Sequence, residues 1–139
     1  MTQEFHVEIL TPASEVLSAS ASEVLLPSHR GELGLLPGHE NLLGLLGTGT
    51  MKVVSGGNDF WFVVSGGAFK VDSGNVTVFA EFGVAADKVD SDWVDKELRD
   101  AESELQKDSN LYNSETVLVK QKSERLLAMK EALRRHQMS

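Results

Sequence analysis

The chain has 139 residues, of which 41% are hydrophobic and 24% charged, the make-up of one folded domain or a small domain with an appendage rather than a disordered chain. Its 13 Lys+Arg against 21 Asp+Glu leave a formal charge of -8, a surface that repels phosphate backbones and anionic lipid and so argues against nucleic acid or membrane lipid as a partner. Cysteine is absent, which excludes disulfide scaffolds and thiolate sites, and no apolar run nears the roughly 20 residues of a membrane span; residues 1–5 carry no basic or apolar leader, so neither a signal nor a transit peptide is expected.

The first elements read as short strands. Phe5, Val7 and Ile9 alternate with His6 and Glu8, the pattern of a half-buried strand. A second apolar run, 24–26, ends at Pro27. Runs 51–54 and 60–64 flank a hairpin-like connection over 55–59, and runs 68–71 and 76–82 flank another over 72–75. No ten-residue helical pattern separates these strands, so parallel α/β is disfavoured and an all-β sandwich or barrel is predicted.

All 12 Gly lie between Gly31 and Gly83, the 3 Pro are Pro12, Pro27 and Pro37, and 84–139 hold neither, which places a boundary near 85–90 and divides the chain into domains 1–87 and 88–139. The second part reads as an antiparallel two-helix hairpin. Asp90 or Ser91 can cap the first helix, and Trp93, Val94, Leu98, Ala101 and Leu105 recur along it at helical spacing. Asp108-Ser109-Asn110 breaks the pattern. Asn113 or Ser114 can cap a second helix, whose stripe is Val117, Leu118, Leu126, Met129, Ala132 and Leu133. Residues 90–109 carry 8 acids and 3 bases, and 110–139 carry 6 bases and 3 acids, so the helices attract. Exposed pairs contribute only about 0–1 kcal/mol each and are screened by salt. Each buried apolar side chain returns roughly 1.5–3 kcal/mol, against about 1–2 kcal/mol to order each residue. The second helix is therefore expected to be the loosest element, able to exchange its place on the sandwich for another protein surface.

No catalytic constellation emerges. Gly44 to Thr50 is glycine-rich but lacks the Lys-Ser/Thr ending that grips phosphate, and it reads as a turn between strands. His6, His29, His39 and His136 show no metal spacing, and no nucleophile elbow surrounds Ser28 or Ser65. The acids of the first helix lack the order of a calcium loop and read as a solvated face. Catalytic and metal residues are predicted to be none. One segment stands apart. Gly31-Glu32-Leu33-Gly34-Leu35-Leu36-Pro37-Gly38-His39-Glu40 combines permissive glycines, a preset Pro-Gly turn, a buried anchor of leucines, and Glu32 and His39 on a rigid loop. Read from its residues, it is either a recognition surface or a demanding corner of the fold.

The segment from Gly31 to His39 resembles the G-E-[LI]-G-[IV]-x-P-G-H stretch of the epsilon subunit of bacterial and chloroplast ATP synthases. Residues 7–12 are similar to that family's first strand and turn, 63–71 to its [FY]-[VL]-S-G-G-[FI]-x-x-V stretch, and 75–80 to its N-x-V-T-V-L-A strand. Order and spacing hold across about residues 5–90, and the hairpin behind has the family's length. The resemblance implies a sandwich of about ten short strands followed by the helix hairpin. It implies a non-catalytic rotor subunit of the proton- or sodium-translocating F-type ATP synthase, peripheral on the cytoplasmic face of the bacterial membrane and not inserted in it. The sandwich would grip the gamma subunit and the c-ring. The hairpin would lie folded on the sandwich or reach into the alpha and beta subunits and block ATP hydrolysis. Glu32 and His39 would face gamma, with Thr11 and Ser65 on the same surface. Lys120, Lys122, Arg125, Lys130, Arg134 and Arg135 would suit acidic regions of beta and alpha. Some members bind ATP through [IL]-D-x-x-R-A at the start of the first helix; here Asp90 is kept, but Trp93 replaces the arginine and Val94 the alanine. Weak or absent ATP binding follows, with no cofactor. The competing readings are a free-standing sandwich adaptor for another protein or a carbohydrate, and a sandwich metallohydrolase.

Overall fold

The computed structural model of the chain describes residues 3–107 and 114–138, apart from the side chains of 105–107 and 114–117. The predicted break at Asp108-Ser109-Asn110, the caps Asn113 and Ser114, and the stripe positions Leu105 and Val117 lie outside this description. In chain order come β1 (Phe5–Leu10), β2 (Glu15–Ala21), β3 (Glu23–Ser28), β4 (Gly31–Leu35), β5 (Leu42–Leu45), β6 (Thr48–Ser55), β7 (Asn58–Asp72), β8 (Asn75–Ala85), a 3-10 turn (Ala86–Lys88), α1 (Ser91–Lys107) and α2 (Ser114–Met138).

The strands form one hydrogen-bonded path, β2-β1-β8-β7-β6-β3-β4, with β5 also on β7. β1 runs parallel to β8 and the other pairs are antiparallel. The path folds over on itself. Val7 and Ile9 of β1 share one core with Val24 and Leu26 of β3 and with Met51 and Val53 of β6, strands far from β1 along the path. Two facing layers with a common apolar interior make a β-sandwich.

The fold-over depends on two glycines. β7 pairs with β6 along Asn58–Ser65 and with β5 along Ala68–Val71. Between these stretches Gly66 and Gly67 take φ of +72° and +107°. A Cβ on Gly67 would lie 1.9 Å from the carbonyl oxygen of Phe79, so the two backbones meet closer than any side chain allows. The resemblance implied about ten strands, and eight are described because β7 and β8 run unbroken through the bend. Each contributes one segment to either side of it.

Other differences have local causes. Residues 55–59 were expected to form one connection, but the turn is only Gly56-Gly57, both with positive φ (60° and 79°), the two-residue geometry that matches strand twist. Asn58 and Asp59 already belong to β7. Pro27 does not end its strand: it pairs with Glu32 of β4 at a position past the β6 pairing, where a missing N–H costs nothing. The expected turn from Gly44 to Thr50 shrinks to Leu46 and Gly47 between β5 and β6. Of the leucine anchor, Leu35 is fully buried, Leu33 is half-buried and Leu36 is exposed.

The run 60–64 is apolar because it is covered on both faces. Phe62 and Val64 face the sandwich core, while Trp61 and Val63 lie under the helices. There they meet Val94 of α1 and Leu126, Ala128, Met129 and Ala132 of α2, with Ala86, Phe82 and Val84. Asp90 caps α1: its carboxylate accepts from the backbone N–H groups of Asp92 (3.0 Å) and Trp93 (3.3 Å). Trp93, expected on the buried stripe, is 49% exposed, since the residue that turns inward is its neighbour Val94. On α2 the expected Leu118 is exposed, and Ala128 is buried instead.

Candidate functional site

Two surfaces carry the residues singled out from the sequence. The first surrounds β4 and β5. Glu32 is exposed on β4, which pairs only with β3 among the described strands. After β4 the chain turns at Pro37-Gly38, where Gly38 takes φ of +81° and the His39 backbone N–H donates to the Leu36 carbonyl oxygen (3.2 Å). His39 Nδ1 lies 2.8 Å from the carbonyl oxygen of Glu40, so this nitrogen carries the proton and donates. Leu36, on the turn before His39, and Leu42, Leu43 and Leu45 of β5 are 59%, 37%, 74% and 63% exposed. The β5 leucines border a groove of about 500 Å³ with His29 and Arg30 at its rim and Phe69 at its floor. Gly44 opens that groove, because a Cβ there would strike the Phe69 ring at 2.5 Å. The sequence reading places Leu36 in a buried anchor and Leu45 in a turn and does not single out Leu42 or Leu43, so it misses this exposed set. The available signal was Leu42-Leu43, adjacent residues that must point to opposite faces of a strand.

Thr11 and Ser65 do not join this surface. Thr11 closes the β1–β2 turn, exchanging backbone and hydroxyl hydrogen bonds with Ser14 (2.9–3.1 Å). It stands at the opposite end of β1 from Phe5, which shares a shallow groove with His39, so about 20 Å of strand separates them. Ser65 is 3% exposed and lies beneath α2. Its hydroxyl is 2.8 Å from Thr48 Oγ1 and accepts from Arg125 Nε at 2.9 Å. Two residues assigned to different partners from the sequence, Ser65 and Arg125, are therefore partners of each other here.

The second surface is α2 itself, and five of the six basic residues singled out on it are occupied. Lys122 pairs with Glu97 (2.6 Å) and Lys130 with Asp95 (3.5 Å), both on α1. Arg134 and Arg135 bind Glu131 at 2.6 and 2.9 Å. Their donated hydrogen bonds pull the Glu131 carboxyl down to about 2. The hydrogen bond to Glu97 raises Lys122 in the opposite sense. The Arg125 guanidinium lies 5.6 Å over the Phe82 ring, and that of Arg135 lies 5.5 Å over Trp61. Lys120 is exposed.

Two arrangements that could suggest chemistry do not supply it. His6, Glu8 and Ser18 meet on the outer face of β1 and β2, but Glu8 Oε1 (3.2 Å) and Ser18 Oγ (3.1 Å) both approach His6 Nε2. One ring nitrogen cannot donate to the acid while accepting from the hydroxyl, as a nucleophile-activating triad requires. No group of three or more metal-ligating side chains occurs among the described residues. A groove of about 470 Å³ between α1 and α2 is bordered by Ser91, Asp95, Lys130 and Arg134. The Asp90 carboxylate is committed to its cap beside it, and Trp93 does not line it.

Residues 4–86 match the family model described as the ATP synthase delta/epsilon chain, beta-sandwich domain. The ATP synthase epsilon chain of Nitratidesulfovibrio vulgaris is 37% identical over 90 residues, covering 65% of this chain and 67% of that one. The ATP synthase epsilon chain of Anaeromyxobacter dehalogenans is 30% identical over 123 residues, 86% and 93% of the two chains. A chain from the Euglena gracilis mitochondrial ATP synthase, in a structure of its OSCP, F1 and c-ring, superposes with a TM-score of 0.79 at 22% identity over 94% of this chain and 81% of that one. A chain of the Tetrahymena thermophila mitochondrial ATP synthase central stalk and c-ring gives 0.60 at 14% identity, over 95% and 98%. At these identities the superpositions establish a shared fold.

Proposed function

Because the chain belongs to the ATP synthase epsilon-chain family, we propose that its sandwich joins the gamma subunit to the c-ring while its helices restrain ATP hydrolysis. It is a subunit of the central rotor stalk of the F-type ATP synthase, and it works within a membrane-associated complex. Membership of that family displaces the free-standing adaptor. No described helix is long and apolar enough to cross a membrane. A peripheral place on the cytoplasmic side of the bacterial membrane fits the bacterial relatives. The role is to transmit torque and to regulate, with the chemistry left to the catalytic head.

The observation that carries the division of labour is the split of the apolar interior. One cluster lies wholly within β1–β8, while the other is shared between the sandwich and the two helices. We read the sandwich as a body with its own core and α1 with α2 as an appendage resting on it, which supports dividing the chain near 87 and 88. Glu32 and His39, with the exposed leucines beside them, form the face offered to gamma and the c-ring. Arg125 serves alpha and beta once the hairpin leaves the sandwich, when its contacts with Ser65 and Phe82 are given up; Lys122 and Lys130 join it where α1 and α2 also part.

Truncation tests the reading. A chain lacking 88–139 should still assemble with gamma and the c-ring, and the complex should hydrolyse ATP faster than one holding the full chain. Unchanged hydrolysis would remove the restraining role. Loss of co-purification with gamma would remove the coupling role.

A further inference from the structure

If the hairpin leaves the sandwich, as the reading above requires, some contact must set how readily it does so. The cations of α2 divide by what they touch. Lys122 and Lys130 pair with Glu97 and Asp95 of α1, and Arg134 pairs with Glu131 of α2 itself, so these pairs can travel with the hairpin intact. Arg125 and Arg135 reach across to the sandwich, and Arg135 divides its guanidinium between Trp61 and Glu131. Arg125 directs both its Nε donor and its planar face to the sandwich, onto Ser65 and Phe82.

The receiving group is built for this. Ser65 is the buried polar residue of the sandwich, 3% exposed, and its hydroxyl oxygen sits between Thr48 Oγ1 of β6 and Arg125 Nε of α2. It lies directly before the Gly66-Gly67 bend, so its backbone position is fixed by the fold-over of the sheet. A hydrogen bond from a charged donor into a water-poor site is the strong kind, and its two ends lie 60 residues apart on separate elements.

We propose that Arg125 is the latch of the docked hairpin, held by Ser65 and the Phe82 ring, and that releasing it is the step that commits the hairpin to leave. The same side chain then changes role. Docked, its Nε donor and ring-facing side are used within the chain; released, the guanidinium is the cation newly available to a partner's carboxylates. Lys122 and Lys130 become available only if α1 and α2 also part.

Amide hydrogen exchange on the full-length chain, without gamma, tests this for Ser65→Ala, Arg125→Ala, Arg125→Lys and the Ser65→Ala/Arg125→Ala pair. Each single alanine variant should speed exchange across 118–138 by about tenfold while the amides of β1 and of Val76–Ala80 in β8 keep their protection. The double variant should be no faster than Arg125→Ala alone, because both changes break one contact. Arg125→Lys keeps the charge but loses the Nε–H and the planar stack, and should release the hairpin as alanine does. Exchange over 118–138 within twofold of the unchanged chain in Ser65→Ala and Arg125→Lys would overturn the latch. Those two variants also decide the matter if Arg125→Ala loosens β1 as well. In the assembled complex, faster exchange with unchanged hydrolysis would sink the restraining role and leave the latch standing; unchanged exchange in variants of a chain whose truncation still raises hydrolysis would do the reverse.

Discussion

At Gly67 the sheet folds over because there is no side chain. The residue combines a φ of +107° with a carbonyl oxygen 1.9 Å from where a Cβ would stand, and that oxygen belongs to backbone, which cannot swing aside. Gly74 has a similar φ of +83° but open space around its missing Cβ. The pair separates strain from collision. Gly74→Ala should cost about 1–2 kcal/mol, the left-handed penalty alone. Gly67→Ala should cost about 3 kcal/mol or more, since the two layers must move apart. Urea unfolding midpoints of the two variants check this; equal losses would mean that the bend is not what positions β7 against β8. The serine-glycine-glycine run at this point was legible only as part of the family-like stretch 63–71, between runs that read as separate strands, and not as a kink inside one continuous strand. Glycines mark turns and bends alike, and only the pairing of β7 with β6 on one side and β5 on the other tells them apart.

Among the elements, β1 was legible residue by residue, because one face of it meets the core and the alternation records that. The α2 stripe was legible only in part. Leu126, Met129 and Ala132 are buried as their spacing suggests, whereas Leu118 points to solvent, since the burial of α2 is set by a sandwich face whose shape no helical period encodes. Its last turns carry a prediction of their own. Glu131 is held down to about 2 by the hydrogen bonds of Arg134 and Arg135, below its ordinary 4.5. A carboxylate with a lowered folded-state value adds stability that is present above pH 4.5 and is lost as the pH falls towards 2. The side chain is 38% exposed, so solvent limits the effect to at most about 1 kcal/mol. Acidification through this window should fray the end of α2, read as lower protection of the amides of 131–138 once exchange is normalised to the intrinsic rate at each pH, and Glu131→Gln should show that lowered protection already at neutral pH. A Glu131→Gln chain with unchanged protection there would show that the cluster is ornamental.

For the whole molecule, the question is which face meets the rotor. The family resemblance implied that Glu32, His39, Thr11 and Ser65 share one surface, and folding scatters them: Thr11 goes to the far end of β1 and Ser65 goes under α2. Chain order could not reveal this, because strand register and helix docking decide it. What folding gathers instead is Leu42, Leu43 and Leu45 around one groove, with Leu36 exposed on the turn before His39, apolar area of the kind that marks a contact surface. Leu43 and Leu45, at 74% and 63% exposed, have few contacts within the chain to lose. Leu43→Asp and Leu45→Asp should therefore leave the melting temperature of the isolated chain within about 2 °C, as for surface changes of a few tenths of a kcal/mol. Burial of either leucine against gamma or the c-ring would place an unpaired carboxylate in an apolar contact, a cost of several kcal/mol, so co-purification should fall by about a hundredfold or more. Thr11→Ala, at the other end of β1, should leave assembly unchanged. Should the aspartate variants assemble normally while Thr11→Ala does not, the rotor face lies at the β1–β2 turn and the leucines must be covered by something else.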